Sequence, residues 1–292
     1  MSEFSSNFMD LDDEFSSYEN SGVVIVPVPY EQTVTYGRGT SNGPSAIINA
    51  SRTIEFYDDE LHCEPADIGI HTLKEIDCEF EPEQITDVIK STNEKLLEDD
   101  KFIINLGGEH TITIGSVFGF KSFYEEFSVL TIDAHCDLRD EYEGEKYCHA
   151  TVMRRIVEED IPIVEVGIRS YSKEESQFII NSENAVIFHA NEIQSNNSND
   201  WTTQIISNLK EKVYLSIDVD GFDPSIIPTT GTPEPGGLGW YQVLSLLKKL
   251  FSEKDVIGMD IVELAPVEGL HGPDVLAAKL AYKATGYKFF LK

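Results

Sequence analysis

Residues 130–140 read Leu-Thr-Ile-Asp-Ala-His-Cys-Asp-Leu-Arg-Asp, an apolar run that closes in Asp133, His135 and Asp137. Alternation along an extended backbone sends these three side chains toward one side. A buried carboxylate is costly unless compensated, so such a strand end calls for a cation, a hydrogen-bond network or open solvent. Three further stretches favour the cation. Gly107-Gly108-Glu109-His110 offers His110, Leu215-Ser216-Ile217-Asp218-Val219-Asp220 offers Asp218 and Asp220, and Met259-Asp260-Ile261-Val262-Glu263 offers Glu263. Taken singly, His110 reads as a hydrogen-bonded structural histidine, and Asp218 with Asp220 as loop or capping acids. Together they make an oxygen-rich ligand set with two imidazoles. Such a set exceeds one tetrahedral zinc and suits two ions sharing carboxylates. Hard oxygens with imidazole and no thiolate point to manganese or a related divalent ion. A pair of such ions lowers the pKa of a shared water, which is the chemistry of hydrolysis. Cys136, facing away from its neighbours, reads as a packed thiol.

Each candidate follows an apolar run, and helical patterns fill the spaces between. Strands are expected at 23–30 and 102–106, from 130 through the Asp133-His135-Asp137 run, and at 163–166, 185–188, 213–217 and 256–261. Helices are expected at 44–51, 82–99, 111–118, 150–159, 201–209, 241–250 and 274–285. Strand followed by helix, repeated, implies a mainly parallel sheet covered on both faces, and open sheets of this kind bind ligands beyond the carboxyl ends of their strands. The glycines of residues 37–43 lack the spacing of a phosphate-binding loop and read as loop geometry. Residues 1–20, acidic and Ser-rich, read as a loosely held arm with Phe4, Phe8, Leu11 and Phe15 as docking points. Residues 21–292 read as a single catalytic domain.

The chain has 292 residues, 22 basic against 52 acidic, and a formal net charge of -30. That balance argues against nucleic acid, whose binding needs clustered Lys and Arg, and leaves solubility as the main reading, with weak steering of a cationic substrate beside it. Cys63, Cys78, Cys136 and Cys148 form no C-x-x-C pair, so reduced thiols and a cytoplasmic setting are expected. The first 20 residues have neither a basic nor an apolar signal region, and no apolar run approaches a membrane span. His62, His71, His189 and His271 have no clustered ligand pattern and read as structural or exposed.

At these residues the sequence resembles the ureohydrolases, the family of arginase, agmatinase and related amidinohydrolases. The likeness extends over residues 23–291 with the blocks in family order: Gly-Pro-Ser-Ala-Ile, Gly-Gly-Glu-His, Asp-Ala-His-Cys-Asp, His149-Ala150-Thr151, Ser216 to Asp220, and residues 260–266. The resemblance implies a three-layer α/β/α sandwich with a mainly parallel central sheet, and two Mn2+ per subunit. It implies that His110, Asp133, Asp137 and Asp218 hold one ion, that Asp133, His135, Asp218 and Asp220 hold the other, and that Asp133 and Asp218 bridge them. Asp137 would guide the nucleophile, Glu263 would pair with the substrate guanidinium, and His149 would handle protons at the mouth. It further implies a homo-oligomer, trimer or hexamer. The arginase clamp for an amino-acid tail is not matched at Leu138-Arg139-Asp140 or at Arg169-Ser170-Tyr171-Ser172, which moves the likeness toward agmatinase, agmatine to putrescine and urea, within polyamine biosynthesis. Arg139 receiving an acidic tail keeps guanidinobutyrate as a rival substrate, and its pairing with Asp140, Glu141 or Glu143 is the structural reading. Arginase activity, formiminoglutamase activity and a non-catalytic metal-binding role are also compatible with these blocks.

Overall fold

A computed structural model describes residues 7–195 and 200–291. Among them run eight strands: β1 Val23–Val28, β2 Ile70–Thr72, β3 Phe102–Gly107, β4 Ser128–Ile132, β5 Ile163–Ile168, β6 Ala185–His189, β7 Lys212–Asp218 and β8 Asp255–Val262. The helices are α1 Asp13–Ser16, α2 Gly43–Ser51, α3 Pro82–Glu98, α4 Ile112–Lys121, α5 Val152–Glu158, α6 Lys173–Asn181, α7 Ala190–Ser195, α8 Asp200–Ser207, α9 Trp240–Glu253 and α10 Gly272–Phe290. All neighbouring strands pair in parallel, in the order β2-β1-β3-β8-β7-β4-β5-β6. Every residue of β1, β3, β4 and β5 is buried, the pattern of strands covered on both faces. One core packs α2, α8, α9 and α10 against the sheet through residues such as Ile47, Ile205, Leu247 and Tyr282. The other packs α3, α4 and α5 through Ile89, Val117 and Met153. The three-layer α/β/α sandwich expected from the sequence is the fold.

Several local readings change. β1 ends at Val28, two residues short of the expected 23–30, and Pro27 lies within the strand. Its missing N–H costs no ladder bond with β2, which pairs only with Val23 to Ile25. The strand β2 and the helices α1, α6 and α7 were not anticipated. β2 is only three residues long, and α6 is nucleated by a capping box in which Ser172 and Glu175 bond each other's backbone N–H. The expected loose arm packs on the body from Asn7 onward: Phe8 and Met9 are buried, and their N–H groups donate to Thr72 Oγ1 at 2.9 Å and Ser51 Oγ at 2.7 Å. Leu11 is half-buried and Phe15 exposed, while Phe4 lies outside the described residues. Among the described residues, no helix is long and apolar enough to cross a membrane.

Candidate metal centre and active site

Four adjacent central strands, β3, β8, β7 and β4, end side by side, with Leu106 in register with Ile261, Ile261 with Ile217, and Ile217 with Ile132. His110, Glu263 and Asp133 with its two partners follow three of these ends, while Asp218 closes β7 and Asp220 follows it. Residues far apart in sequence therefore meet along one edge.

The convergence within the 133–137 stretch has a different cause from the one expected. β4 stops at Ile132, so Asp133, His135 and Asp137 belong to the loop after it, and strand alternation does not align them. Asp137 is instead turned back by a left-handed backbone, φ 52°, a conformation that costs a non-glycine residue energy and persists where the surroundings hold it. Here its carbonyl accepts the Met153 and Arg154 N–H groups at 3.1 and 3.2 Å at the start of α5. Glu263, φ 66°, is fixed similarly, its N–H donating to the Gly108 carbonyl at 2.8 Å and its Oε1 accepting the His110 N–H at 2.6 Å. On its other side Gly108 lets the chain after β1 pass close, since a Cβ there would fall 2.0 Å from the Tyr30 carbonyl oxygen.

His110 Nδ1 lies 3.2 Å from Asp133 Oδ2, 3.1 Å from Asp137 Oδ2 and 3.4 Å from Asp218 Oδ2. His135 Nδ1 lies 3.0 Å from Asp220 Oδ2 and 3.8 Å from Asp133 Oδ1. His110, Asp133 and Asp137 each offer an atom within 4.8 Å of the others, and so do Asp133, His135 and Asp220. Asp133 faces both groups with different oxygens. His110 Nδ1 and Asp133 Oδ2 are buried without a hydrogen-bond partner, the condition a cation between them relieves. The donor set of carboxylates and imidazoles fits two divalent ions.

The electrostatics agree. Burial first, then the Asp220 and Asp137 carboxylates, push the Asp133 carboxyl up to about 7. Burial, with Asp220 and Asp133, likewise holds Asp218 well above the carboxylate range. Burial opposes the charge on His135, but Asp220 and Asp133 outweigh it and raise the imidazole to about 10. His110 moves the same way, against burial, through Asp133 and Asp137. Acids this crowded are a trap for positive charge.

A cavity of about 300 Å3 opens onto the cluster, with Asp137, His149, Glu263, Arg139, Tyr142 and Glu175 in its wall. Arg139 is not paired with Asp140, Glu141 or Glu143. Asp140 bonds Arg155 at 3.0 Å, whereas Arg139 Nε lies 3.9 Å from Glu175 and its guanidinium sits 5.3 Å from the Tyr142 ring centre. Cys136 is buried on the other side beside Glu165, and burial drives its thiol far up. Three of the other histidines bond locally, His71 to the Ser16 carbonyl, His62 to Tyr57 and His189 to Tyr171.

Three acids escaped the sequence reading. Asp260, fully buried in β8, accepts from Ser216, Tyr214 and Thr113 at 2.6 to 2.8 Å, and Ser216 Oγ lies 3.0 Å from His110 Nε2, which aims Nδ1 at the carboxylates. Glu109 ties down the loop after β1 through three hydrogen bonds, from the Gln32 and Thr33 N–H groups and the Thr33 hydroxyl, and also accepts from the Thr111 hydroxyl. Glu165 is buried, its carboxyl held well above its ordinary range first by burial and then by Asp133 and Asp137. An acid inside an otherwise apolar strand was the available signal for Asp260 and Glu165.

The model of the arginase family matches residues 21–286. The chain belongs to the arginase family. Among its relatives within that family, the N(1)-aminopropylagmatine ureohydrolase of Synechocystis sp. is 42% identical, covering 93% of this chain and 90% of that protein. The agmatinase of Pyrococcus horikoshii is 34% identical, with 92% of each covered. The solved agmatine ureohydrolase of Thermoplasma volcanium superposes with a TM-score of 0.85 at 29% identity, over 94% of this chain and 92% of that one.

Proposed function

We propose that this arginase-family chain is a binuclear manganese amidinohydrolase that cleaves a linear guanidino compound with an amine tail to urea and an amine. The observation that carries the reading is the facing of two ligand groups, His110-Asp133-Asp137 and Asp133-His135-Asp220, by Glu263 across one cavity. His110, Asp133, Asp137 and Asp218 would hold one ion, and Asp133, His135, Asp218 and Asp220 the other. Bound there, the ions would supply an activated water and neutralise the crowded acids. Glu263 presents a buried carboxylate whose Oε1 is steadied by the His110 N–H, a partner for a planar guanidinium. Asp137 Oδ2 takes the proton released as water adds to the guanidinium carbon, and His149, in the cavity wall, picks up a proton from solvent on its free ring nitrogen and passes it to the departing amine.

Two features support an amine tail over a carboxylate tail. The guanidinium of Arg139 is already engaged by Glu175 and Tyr142, which leaves it less free to receive an acid. The relatives named above carry names built on agmatine. Agmatine, giving putrescine, and its N(1)-aminopropyl derivative are therefore the substrates to test first, and the higher identity of the Synechocystis relative favours the derivative. The test is urea release from both, beside arginine, guanidinobutyrate and guanidinopropionate, with added Mn2+. Turnover of the two amines at least tenfold above the acids is expected. No urea from either amine in the manganese-loaded protein overturns the proposal, and formamide from formiminoglutamate would assign the site to that reaction.

A further inference from the structure

The sequence marks His149 but leaves its ring without a neighbour. In the structure both ring nitrogens meet threonine hydroxyls of the loop after β1: Nδ1 lies 3.1 Å from Thr33 Oγ1 and Nε2 2.9 Å from Thr35 Oγ1. These two contacts are not equivalent. The Thr33 hydroxyl donates to Glu109 Oε1 at 2.6 Å, where the Thr111 hydroxyl also donates, at 2.5 Å. Glu109 Oε2 accepts the Gln32 and Thr33 N–H groups at 2.8 and 2.7 Å. A carboxylate has no proton to give, so both hydroxyl hydrogens point at Glu109. Thr33 Oγ1 is left with lone pairs alone. It accepts the His149 backbone N–H at 3.3 Å, and a ring nitrogen at 3.1 Å must bring a hydrogen as well, since two lone pairs would repel.

We propose that Glu109 is a positioning residue that fixes the tautomer of His149, holding the neutral ring with its proton on Nδ1 and its lone pair on Nε2. Glu109 is fully buried and makes no contact with the substrate cavity, so it acts through Thr33. The Thr35 hydroxyl then donates to Nε2 at 2.9 Å in preference to Tyr142, 3.5 Å away, and the Tyr142 ring meets the imidazole edge-on with centroids 5.7 Å apart. The chain thereby presents one defined basic nitrogen at the mouth, on the side of the Thr35 hydroxyl rather than the buried Glu109 network. The inference deepens the role given to His149 above and rests on it for its catalytic meaning, but the tautomer itself can be observed without turnover.

The experiment is nitrogen-proton correlation spectroscopy of histidine-labelled protein loaded with zinc, whose closed shell leaves imidazole signals sharp, with His149 assigned by loss of its signals in His149→Asn. The neutral wild-type ring is expected to show a protonated Nδ1 and an unprotonated Nε2. In Glu109→Gln the carboxamide oxygen keeps the two backbone donors, its NH2 faces the Thr33 hydroxyl, and that hydroxyl turns its hydrogen to Nδ1, so the two nitrogen shifts exchange. Thr33→Val, a milder change in a half-buried loop, removes the acceptor and the Nδ1-H preference, and Thr33→Ser restores it. An Nε2-H ring in the wild type, or the wild-type pattern in both Glu109→Gln and Thr33→Val, overturns the inference. The expected tautomer in a protein that releases no urea would sink the hydrolase reading and leave this one standing.

Discussion

Replacing Asp133 by Asn should stabilise the metal-stripped protein and cost it the stabilisation that metal confers. Asp133 is buried among Asp137, Asp218 and Asp220, and its carboxyl titrates near 7 against 3.8 for a free aspartate. Between those values the folded chain holds a proton that the unfolded chain has released. The Asp133 contribution is therefore full below about pH 4, falls as pH rises toward 7, and is flat beyond. At ~1.4 kcal/mol per pH unit the loss is about 4 kcal/mol. An unfolding entropy of about 2.1 cal/mol/K per residue over 292 residues gives ~0.6 kcal/mol/K, so this corresponds to about 7 °C. The carboxamide of Asp133→Asn keeps an acceptor for the His135 N–H, which Asp133 Oδ1 takes at 2.6 Å, and removes the charge. Thermal melts in chelator from pH 4 to 8 should fall for the wild type and fall by several degrees less for Asp133→Asn, in which Asp218 still carries a raised carboxyl, and added Mn2+ should raise the wild type by several degrees and the variant far less. A variant less stable than the wild type in chelator at pH 8, or equal gains from Mn2+, would refute the account of the site as crowded acids awaiting cations.

Asp137→Asn should cut urea release by roughly 10^2 to 10^4-fold through loss of proton transfer, with the melting profile of a folded protein; near-normal turnover would remove Asp137 from the mechanism. Glu263→Gln keeps an acceptor for the His110 N–H and loses the ionic partner of the guanidinium, so kcat/KM should drop by about 3 kcal/mol, more than hundredfold, measured in the same urea assay. Glu60 gathers Lys248 and Lys283 at 2.8 and 2.6 Å and the Tyr287 hydroxyl at 2.8 Å. Burial raises its carboxyl, but these three partners outweigh burial and lower it to about 2. Its contribution is present above about pH 4.5 and is lost as pH falls toward 2; because Glu60 and Lys248 meet solvent and are screened, Glu60→Gln should cost about 1 kcal/mol at pH 7 and flatten acid unfolding in that window; denaturant melts at pH 7 and pH 3 read both.

The metal cluster was legible because its ligands are rare residue types at the ends of apolar runs, and strand ends in a parallel sheet share an edge whatever their order. The way Asp137 reaches the cluster was not legible, since a left-handed residue held by the start of α5 leaves no periodic trace. Arg139 shows the other gap. Sequence proximity offered Asp140, Glu141 and Glu143, but the observed neighbour Glu175 comes from the first turn of α6, a contact only the folded chain defines. Glu109 and Asp260 were passed over for a related reason: their roles lie in partners brought from distant segments, not in their own types.

The sheet order has a consequence for how the molecule is made. β8, the latest of the described strands in chain order, lies between β3 and β7 and, among the described residues, links a β2-β1-β3 half to a β7-β4-β5-β6 half. Until residues 255–262 are in place the two halves have open edges, His110 stands on one and the aspartates on the other, and no ion can be gripped by both. The strand therefore works as a keystone. The group of Asp133, His135 and Asp220 lies wholly in the β7-β4 half, whereas His110 joins Asp133 and Asp137 only once β8 is seated, so the β3-β8 pairing, the most non-local of the sheet, completes the centre.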